Sequence, residues 1–238
     1  MEKNTTDINF YKEDIKGICR TLAPNDYDEK MLQTVEAELF LGFEFVRKYP
    51  KMVTIFGSAR DEATAPYYES VRELARRLAE ECGMTIATGG GPGIMQAANH
   101  GAYDADPKKS IAMAIKLPME QQVNKYTNDY QMFKYFFTRK VMMSYVCDAF
   151  IAAPGGYGTF DELFGVLTLQ QTNKANRTPI VLFGVDFWQP VYDFITETME
   201  AKGFIDPRDS DRFIVTDSVD EVIALFKRLG IYNKETFS

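Results

Sequence analysis

One histidine, His100, and three cysteines, Cys19, Cys82 and Cys147, are all that 238 residues offer toward soft metal ligation. The cysteines are odd in number and show no CxxC spacing, so with a single histidine they build no recognisable zinc site. That usage leads us to expect a reduced, cytoplasmic setting. No uninterrupted apolar run is long enough to span a bilayer, and the polar opening MEKNTTDINFYKEDIKG carries no apolar signal segment. The expectation is a protein neither secreted nor membrane-embedded. Basic residues are outnumbered 27 to 34, for a net charge of -7. A nucleic acid polymer is therefore excluded as a general partner, and any bound anion must be held locally. What is present, 45% hydrophobic and 26% charged residues, suits a globular chain long enough to bury a core without staples.

Short β-branched or apolar runs alternate with longer amphipathic ones. The segments 52–57, 85–88, 110–115, 149–154, 179–184 and 212–217 read as strands, too short for helices and rich in Ile, Val and Phe. Between them YYESVRELARRLAEEC, IMQAANHGAY, FKYFFTRKVMMSYVC, FDELFGVLTLQQT, FWQPVYDFITETMEAKG and VDEVIALFKRLG carry helical spacing. Such alternation implies right-handed crossovers and a parallel sheet covered on both faces, hence a Rossmann-like, doubly wound α/β fold. Ahead of it, residues 1–50 differ in character. They form an N-terminal extension with an extra helix expected from Asp28 to Tyr49, apolar at Leu32, Val35, Leu39, Phe43 and Val46, and ended by Pro50. Residues 51–238 form the Rossmann-like, nucleotide-binding domain.

Ligands of open parallel sheets bind beyond the carboxyl ends of the strands. Both glycine clusters lie at such ends. TIATGGGPGIMQAAN places Gly89, Gly90, Gly91, Pro92 and Gly93 between a strand and a helix, and AFIAAPGGYGTFDELF does the same with Gly155, Gly156, Gly158 and Thr159. Backbone N–H groups at a helix N-terminus, with no side chains in the way, can surround a phosphate. Neither cluster is the GxGxxG of dinucleotide sites or the GxxxxGK[ST] of P-loop enzymes. The ligand expected is a mononucleotide or sugar phosphate.

Two charged groups accompany these loops. Arg139 and Lys140 stand together in FFTRKVMM, where both could snorkel to the surface, although a guanidinium is shaped for forked contact with phosphate or carboxylate oxygens. Asp161 and Glu162 follow the second loop, about 100° apart around a helix axis. Either acid could simply favour the helix N-terminus, or one could face a sugar hydroxyl or water. Spacing leaves that choice open.

PGGYGTFDE fits the pattern PGGxGTxxE, TGGGPGIMQAAN fits its companion glycine motif, and FFTRKVMM supplies the arginine-lysine pair between them. Together, from about Met52 to Phe187, they resemble the Lonely Guy family of cytokinin-activating phosphoribohydrolases, long labelled "lysine decarboxylase-like"; the long N-terminal helix is similar to that of its longer subgroup. The resemblance implies hydrolysis of the N-glycosidic bond of a nucleoside 5′-monophosphate to free base and ribose 5-phosphate. By motif position Arg139 and Glu162 would be the catalytic pair, and Gly155, Gly156, Gly158 and Thr159 would hold the 5′-phosphate, with Lys140 beside them. Gly90, Gly91 and Gly93 would shape the facing wall, with Met95 near the base, and Gly57 and Ser58 would close the floor. No cofactor or metal is implied, and homodimers or larger homo-oligomers are.

Three departures bear on substrate. Gln96 stands where the family pattern has glutamate or glycine, and Phe136 and Phe137 replace a more polar lead-in to the arginine-lysine pair. An AMP-directed nucleosidase is thus the broader expectation beside cytokinin activation. The old decarboxylase label would need a Schiff-base lysine and a cradle for the cofactor ring, and His100 is not followed by lysine. His100 reads as a helix-end residue. The rival of a different class is a non-catalytic binder of nucleotides or of a nucleotide-like molybdenum cofactor, for which the glycine loops would suffice without a carboxylate at the sugar.

Overall fold

The structure, a computed structural model, describes residues 26–117, 122–145 and 147–230. Cys19, with the first half of the N-terminal extension, and part of the segment LPMEQQVNKY lie outside the described residues. The chain orders as α1 (Asp26–Val46), β1 (Met52–Phe56), α2 (Asp61–Thr64), α3 (Tyr68–Glu81), β2 (Thr85–Thr88), α4 (Ile94–Ala105), β3 (Ser110–Ile115), β4 (Asp129–Phe133), α5 (Phe136–Tyr145), β5 (Ala149–Ala152), α6 (Tyr157–Gln171), β6 (Ile180–Phe183), α7 (Val185–Asp193), β7 (Phe213–Thr216) and α8 (Val219–Arg228).

Seven strands form one sheet in the order β4-β3-β2-β1-β5-β6-β7, and every neighbouring pair is parallel. Side chains alternate across it. Val53 and Ile55 of β1 face a core made with α3, α4 and α8, whereas Met52 and Phe56 face a second core that includes α1, α5, α6 and α7. This is the doubly wound sheet that the alternation predicts, and the order in which the chain adds strands reverses between β1 and β5.

The structure corrects the sequence reading at one strand and three helix boundaries. β4 was not expected as a strand, because DYQMF is no continuous apolar run: it pairs with β3 alone at the sheet edge, leaving Tyr130 and Met132 exposed and burying only Phe133. As Phe133 belongs to that strand, α5 starts later, at Phe136. α6 starts earlier, at Tyr157, so Gly158 and Thr159 occupy a helical first turn rather than a loop. α1 ends at Val46 and passes through turn hydrogen bonds to Tyr49. Its expected apolar position Leu32 is 68% exposed, while Phe45 and Val46 enter the core. Pro190 lies inside α7, which continues as π-helical turns over Phe194–Glu200.

Candidate active site

The switch in strand order leaves a crevice between the β1 and β5 loops, the place where doubly wound folds bind ligands. Main-chain bonds hold its walls together. The Ser58 N–H donates to Pro154 O at 3.0 Å, Ala153 N–H to Phe56 O at 2.9 Å, and Ile94 N–H to Ser58 O at 3.0 Å. These tie the β1 loop to the β5 loop on one side and to the start of α4 on the other. Between them lies a cavity of about 320 Å³, lined by Gly57, Ser58, Ala59, Arg60, Gly89, Met95, Arg139, Met143, Gly156, Gly158, Thr159 and Glu162.

The floor is the N-terminus of α6. Gly156 is its N-cap and supplies no side chain to the first-turn donors, so the leading N–H groups of the helix are left for a ligand. A Cβ placed on Gly158 would meet nothing within 4 Å, whereas one on Gly155 would fall 2.0 Å from Thr159 Oγ1 and 3.0 Å from Ser58 N. The two glycines thus serve different ends. Gly155 lets the β5 loop close onto Thr159 and the β1 loop; Gly158 keeps the space above the helix terminus open.

Across the cavity stand the two charged residues. Arg139 Nη2 lies 3.3 Å from Glu162 Oε1, and both side chains are largely buried. The pair is incomplete: Arg139 Nε and Glu162 Oε2 are buried without a partner among the described residues. Burial pushes the Glu162 carboxyl up from its ordinary value of 4.5, against the pull of Arg139 and Lys140. A buried carboxylate with one unengaged oxygen and a guanidinium with one unengaged N–H are costly unless something else binds them. The Arg139 guanidinium also lies over the Phe136 ring, 5.4 Å from its centroid, which fixes its lateral position.

The neighbouring charges go elsewhere. Lys140 Nζ sits 2.8 Å from Asp161 Oδ1 and donates to Asp161 O at 2.9 Å, on the outer side of α5 and α6. The choice between the two acids is thereby made by geometry: Glu162 turns into the cavity and Asp161 outward to Lys140. Phe137 lines an outer groove between the two helices.

Among the residues of the first glycine cluster, Gly89 and Met95 line the cavity, while Gly90, Gly91 and Gly93 stand behind them as supports. Gly90, at φ 75°, has no room for a Cβ, which would approach Ala112 Cβ at 2.9 Å. Its N–H donates to Thr88 Oγ1 at 2.9 Å. Behind it the fully buried Asn99 accepts from Thr88 Oγ1 at 2.6 Å and from Asn124 Nδ2 at 2.9 Å, and donates to Ser110 Oγ at 2.9 Å and Ile111 O at 3.1 Å. Asn124 Nδ2 also reaches Gly91 O at 3.1 Å. Gly93 caps α4 at φ 64° with its N–H on Asp61 Oδ1 at 2.9 Å. This network, absent from the sequence reading, fixes the loop that presents Gly89. Arg60 was missed as well, although FGSAR places it two residues beyond Ser58. His100 is a structural member of α4: its ring stacks on Tyr126 with centroids 3.8 Å apart, and its Nδ1 is 3.2 Å from Tyr68 Oη. No group of three or more His, Cys, Asp or Glu suited to a metal ion occurs among the described residues, and no described helix is long and apolar enough to cross a membrane.

A family model described as "possible lysine decarboxylase" matches residues 95–226, which include Arg139, the second glycine loop and Glu162. A cytokinin riboside 5′-monophosphate phosphoribohydrolase LOG of Oryza sativa subsp. japonica is 31% identical over 172 residues, covering 71% of this chain and 69% of that protein. The chain belongs to the Lonely Guy family. A second Lonely Guy relative, the cytokinin riboside 5′-monophosphate phosphoribohydrolase of Rhodococcoides fascians, is 26% identical over 182 residues, 76% of this chain and 91% of its own. In fold, the molybdenum cofactor carrier protein of Chlamydomonas reinhardtii aligns with a TM-score of 0.54 at 20% identity, over 75% of this chain and 98% of the carrier. That likeness extends to the fold alone.

Proposed function

We propose that this Lonely Guy protein hydrolyses the N-glycosidic bond of a nucleoside 5′-monophosphate, AMP or a cytokinin riboside monophosphate, releasing the free base and ribose 5-phosphate. The observation that carries the reading is the buried, half-satisfied Arg139–Glu162 pair facing the open N-terminus of α6. A pure binder needs that terminus; it does not need a carboxylate beside it with an oxygen left over.

In this reading the 5′-phosphate sits on the N–H groups at Gly156, Gly158 and Thr159, favoured by the helix dipole. Gly155 holds that loop closed from behind. The ribose then lies over Glu162, one turn along the helix. Cleavage passes through an oxocarbenium-like sugar, and a buried carboxylate stabilises the positive charge developing at C1′. Glu162 Oε2 takes a proton from the attacking water, whose oxygen bonds to C1′. The C1′–N bond breaks with its electron pair going to the base, which takes up the proton that Glu162 accepted from the water, so that Glu162 ends as a carboxylate. A carboxyl raised by burial is a stronger base than a surface glutamate, which suits it to this role. Arg139 keeps Glu162 ionised and turned toward the sugar. Met95, Met143 and Phe56 form the apolar side of the cavity against which a base can pack. Lys140 supports the site by clamping α6 to α5 through Asp161.

The catalytic unit in this reading is residues 51–238, working in the cytoplasm as a homodimer or larger homo-oligomer. Support for assembly comes from the outer groove between α5 and α6, about 840 Å³ and bounded by Val141, Tyr145 and Phe164, with Tyr157 98% exposed at its end. A second copy is the occupant proposed.

The test is release of adenine and ribose 5-phosphate from AMP by the purified protein, beside Glu162→Ala and Arg139→Ala, with isopentenyl-AMP and other monophosphates as comparison substrates. Release lost in both variants is the expected result, and light scattering of the same sample should give at least twice the chain mass. Binding of AMP by calorimetry with no base released from any monophosphate would sink the enzyme reading and favour a non-catalytic nucleotide binder.

A further inference from the structure

The helix that carries Arg139 is held at its start by a carboxylate from a distant part of the chain. Glu38, on α1, is buried at 8% exposure. Its carboxylate accepts from the Lys134 N–H, from the Tyr135 N–H at 3.4 Å and from Thr138 Oγ1 at 2.6 Å. Those donors are the residues leading into α5 and its first turn, whose N–H groups lack helical acceptors. Negative charge there is also favoured by the helix dipole.

One turn further along α1, Gly42 lets the two helices meet closely: a Cβ there would lie 2.6 Å from Met142 Cγ and 2.7 Å from Met142 Sδ. Glu38 and Gly42 therefore share one face of α1, and Thr138 and Met142, also four residues apart, share the face of α5 that receives it. The residues next in sequence, Arg139 and Met143, line the cavity. Docking of α1 consequently sets both the height and the rotation of α5. Arg139 touches Glu162 at only 3.3 Å through a single nitrogen, so a small turn of α5 removes the contact.

We propose that Glu38 is a positioning residue of the active site, through which the N-terminal helix fixes α5 so that Arg139 meets Glu162. The kinetic part of this inference rests on the function proposed above; the geometric part does not. Nothing in Glu38's own surroundings brings it to the cavity, and it acts only through the helix it caps.

The test uses the full-length Glu38→Gln variant, which keeps the side chain's shape but loses its charge and turns one acceptor into a donor. Two readouts are needed. The first is the kinetics of AMP cleavage, where kcat should fall roughly tenfold to a hundredfold, as for a catalytic group displaced by about an ångström. KM should change by less than about threefold, because the phosphate floor on α6 is untouched. The second is the titration of Glu162, followed by carbon-13 NMR of labelled glutamate carboxyls and assigned with Glu162→Gln. Groups acting on Glu162 are Arg139 and Lys140 from α5 and Asp161 from its own helix, and loss of the Arg139 contact should move the midpoint upward.

Thr138→Val, an isosteric change that removes one of the three donors, is the second variant should Glu38→Gln not fold, and a smaller shift in the same direction is expected. A lower melting temperature with Glu162 titrating as in the wild type overturns the proposal, since Glu38 would then support the fold alone. If wild-type protein cleaves no monophosphate, the proposed function fails and the titration still decides the role of Glu38.

Discussion

Replacing one glycine with alanine at two positions three residues apart should give opposite results in stability. At Gly158 an added Cβ meets nothing within 4 Å, and the position lies in the first turn of α6. Alanine is the better helix former by up to about 1 kcal/mol, which for a chain of this size corresponds to a melting temperature higher by about 2–4 °C. Activity should move the other way. The methyl group occupies the space assigned to the 5′-phosphate, and losing one hydrogen bond to a charged oxygen costs about 1.5–3 kcal/mol, or roughly 10- to 100-fold in kcat/KM for AMP. At Gly155 the added Cβ would lie 2.0 Å from Thr159 Oγ1 and 2.7 Å from Thr159 Cβ. Overpacking of that kind costs about 1–3 kcal/mol, so Gly155→Ala should melt several degrees lower. Differential scanning calorimetry and steady-state kinetics on both variants test the pair. Unchanged kcat/KM in Gly158→Ala, at any melting temperature, would show that the open space above α6 is not where the phosphate binds.

Other predictions concern charge and the buried polar network. Glu162 has its pKa raised in the folded state, so the native protein holds that proton more tightly than the unfolded chain. Its ionisation costs stability above the folded pKa, and this cost disappears as pH falls through the folded pKa toward the ordinary value. Comparing melting temperatures with Glu162→Gln from pH 7 down to about 4.5, wild type should gain on the variant as pH falls; a constant difference would contradict the raised pKa. Asn99→Ala removes the side-chain amide shared by Thr88, Ser110 and Asn124; Ser110 and Asn124 keep other partners, so the loss of the Thr88 acceptor, at about 1–3 kcal/mol for a buried group, should lower the denaturation midpoint. A midpoint equal to wild type would mean that the network is dispensable to the glycine loop it supports.

Much of the architecture was legible because it is encoded locally. Apolar runs such as MVTIF and IVLF are buried on both faces, so their composition alone marks them as central strands. Glycine clusters at strand ends likewise announce themselves, since a helix N-terminus can approach a ligand only where side chains are small. β4 was missed for the converse reason: an edge strand is half solvated, and Asp129, Tyr130 and Gln131 look no different from a loop until β3 supplies their hydrogen-bond partners.

At the site, local sequence shows the chemical inventory: a glycine loop leading into a helix N-terminus, an arginine-lysine pair and two adjacent acids. Which of them meet depends on helix packing. Adjacent residues on a helix point about 100° apart, so assignment of Glu162 inward and Asp161 outward depends on how α6 is rotated against α5. The same packing sends Arg139 to the cavity and Lys140 to Asp161. Rotation of that kind is set by long-range contacts, Met142 against Gly42 and Thr138 against Glu38 among them, between segments about a hundred residues apart. No local pattern in either segment carries that information, because neither side chain's direction exists until the two helices have docked.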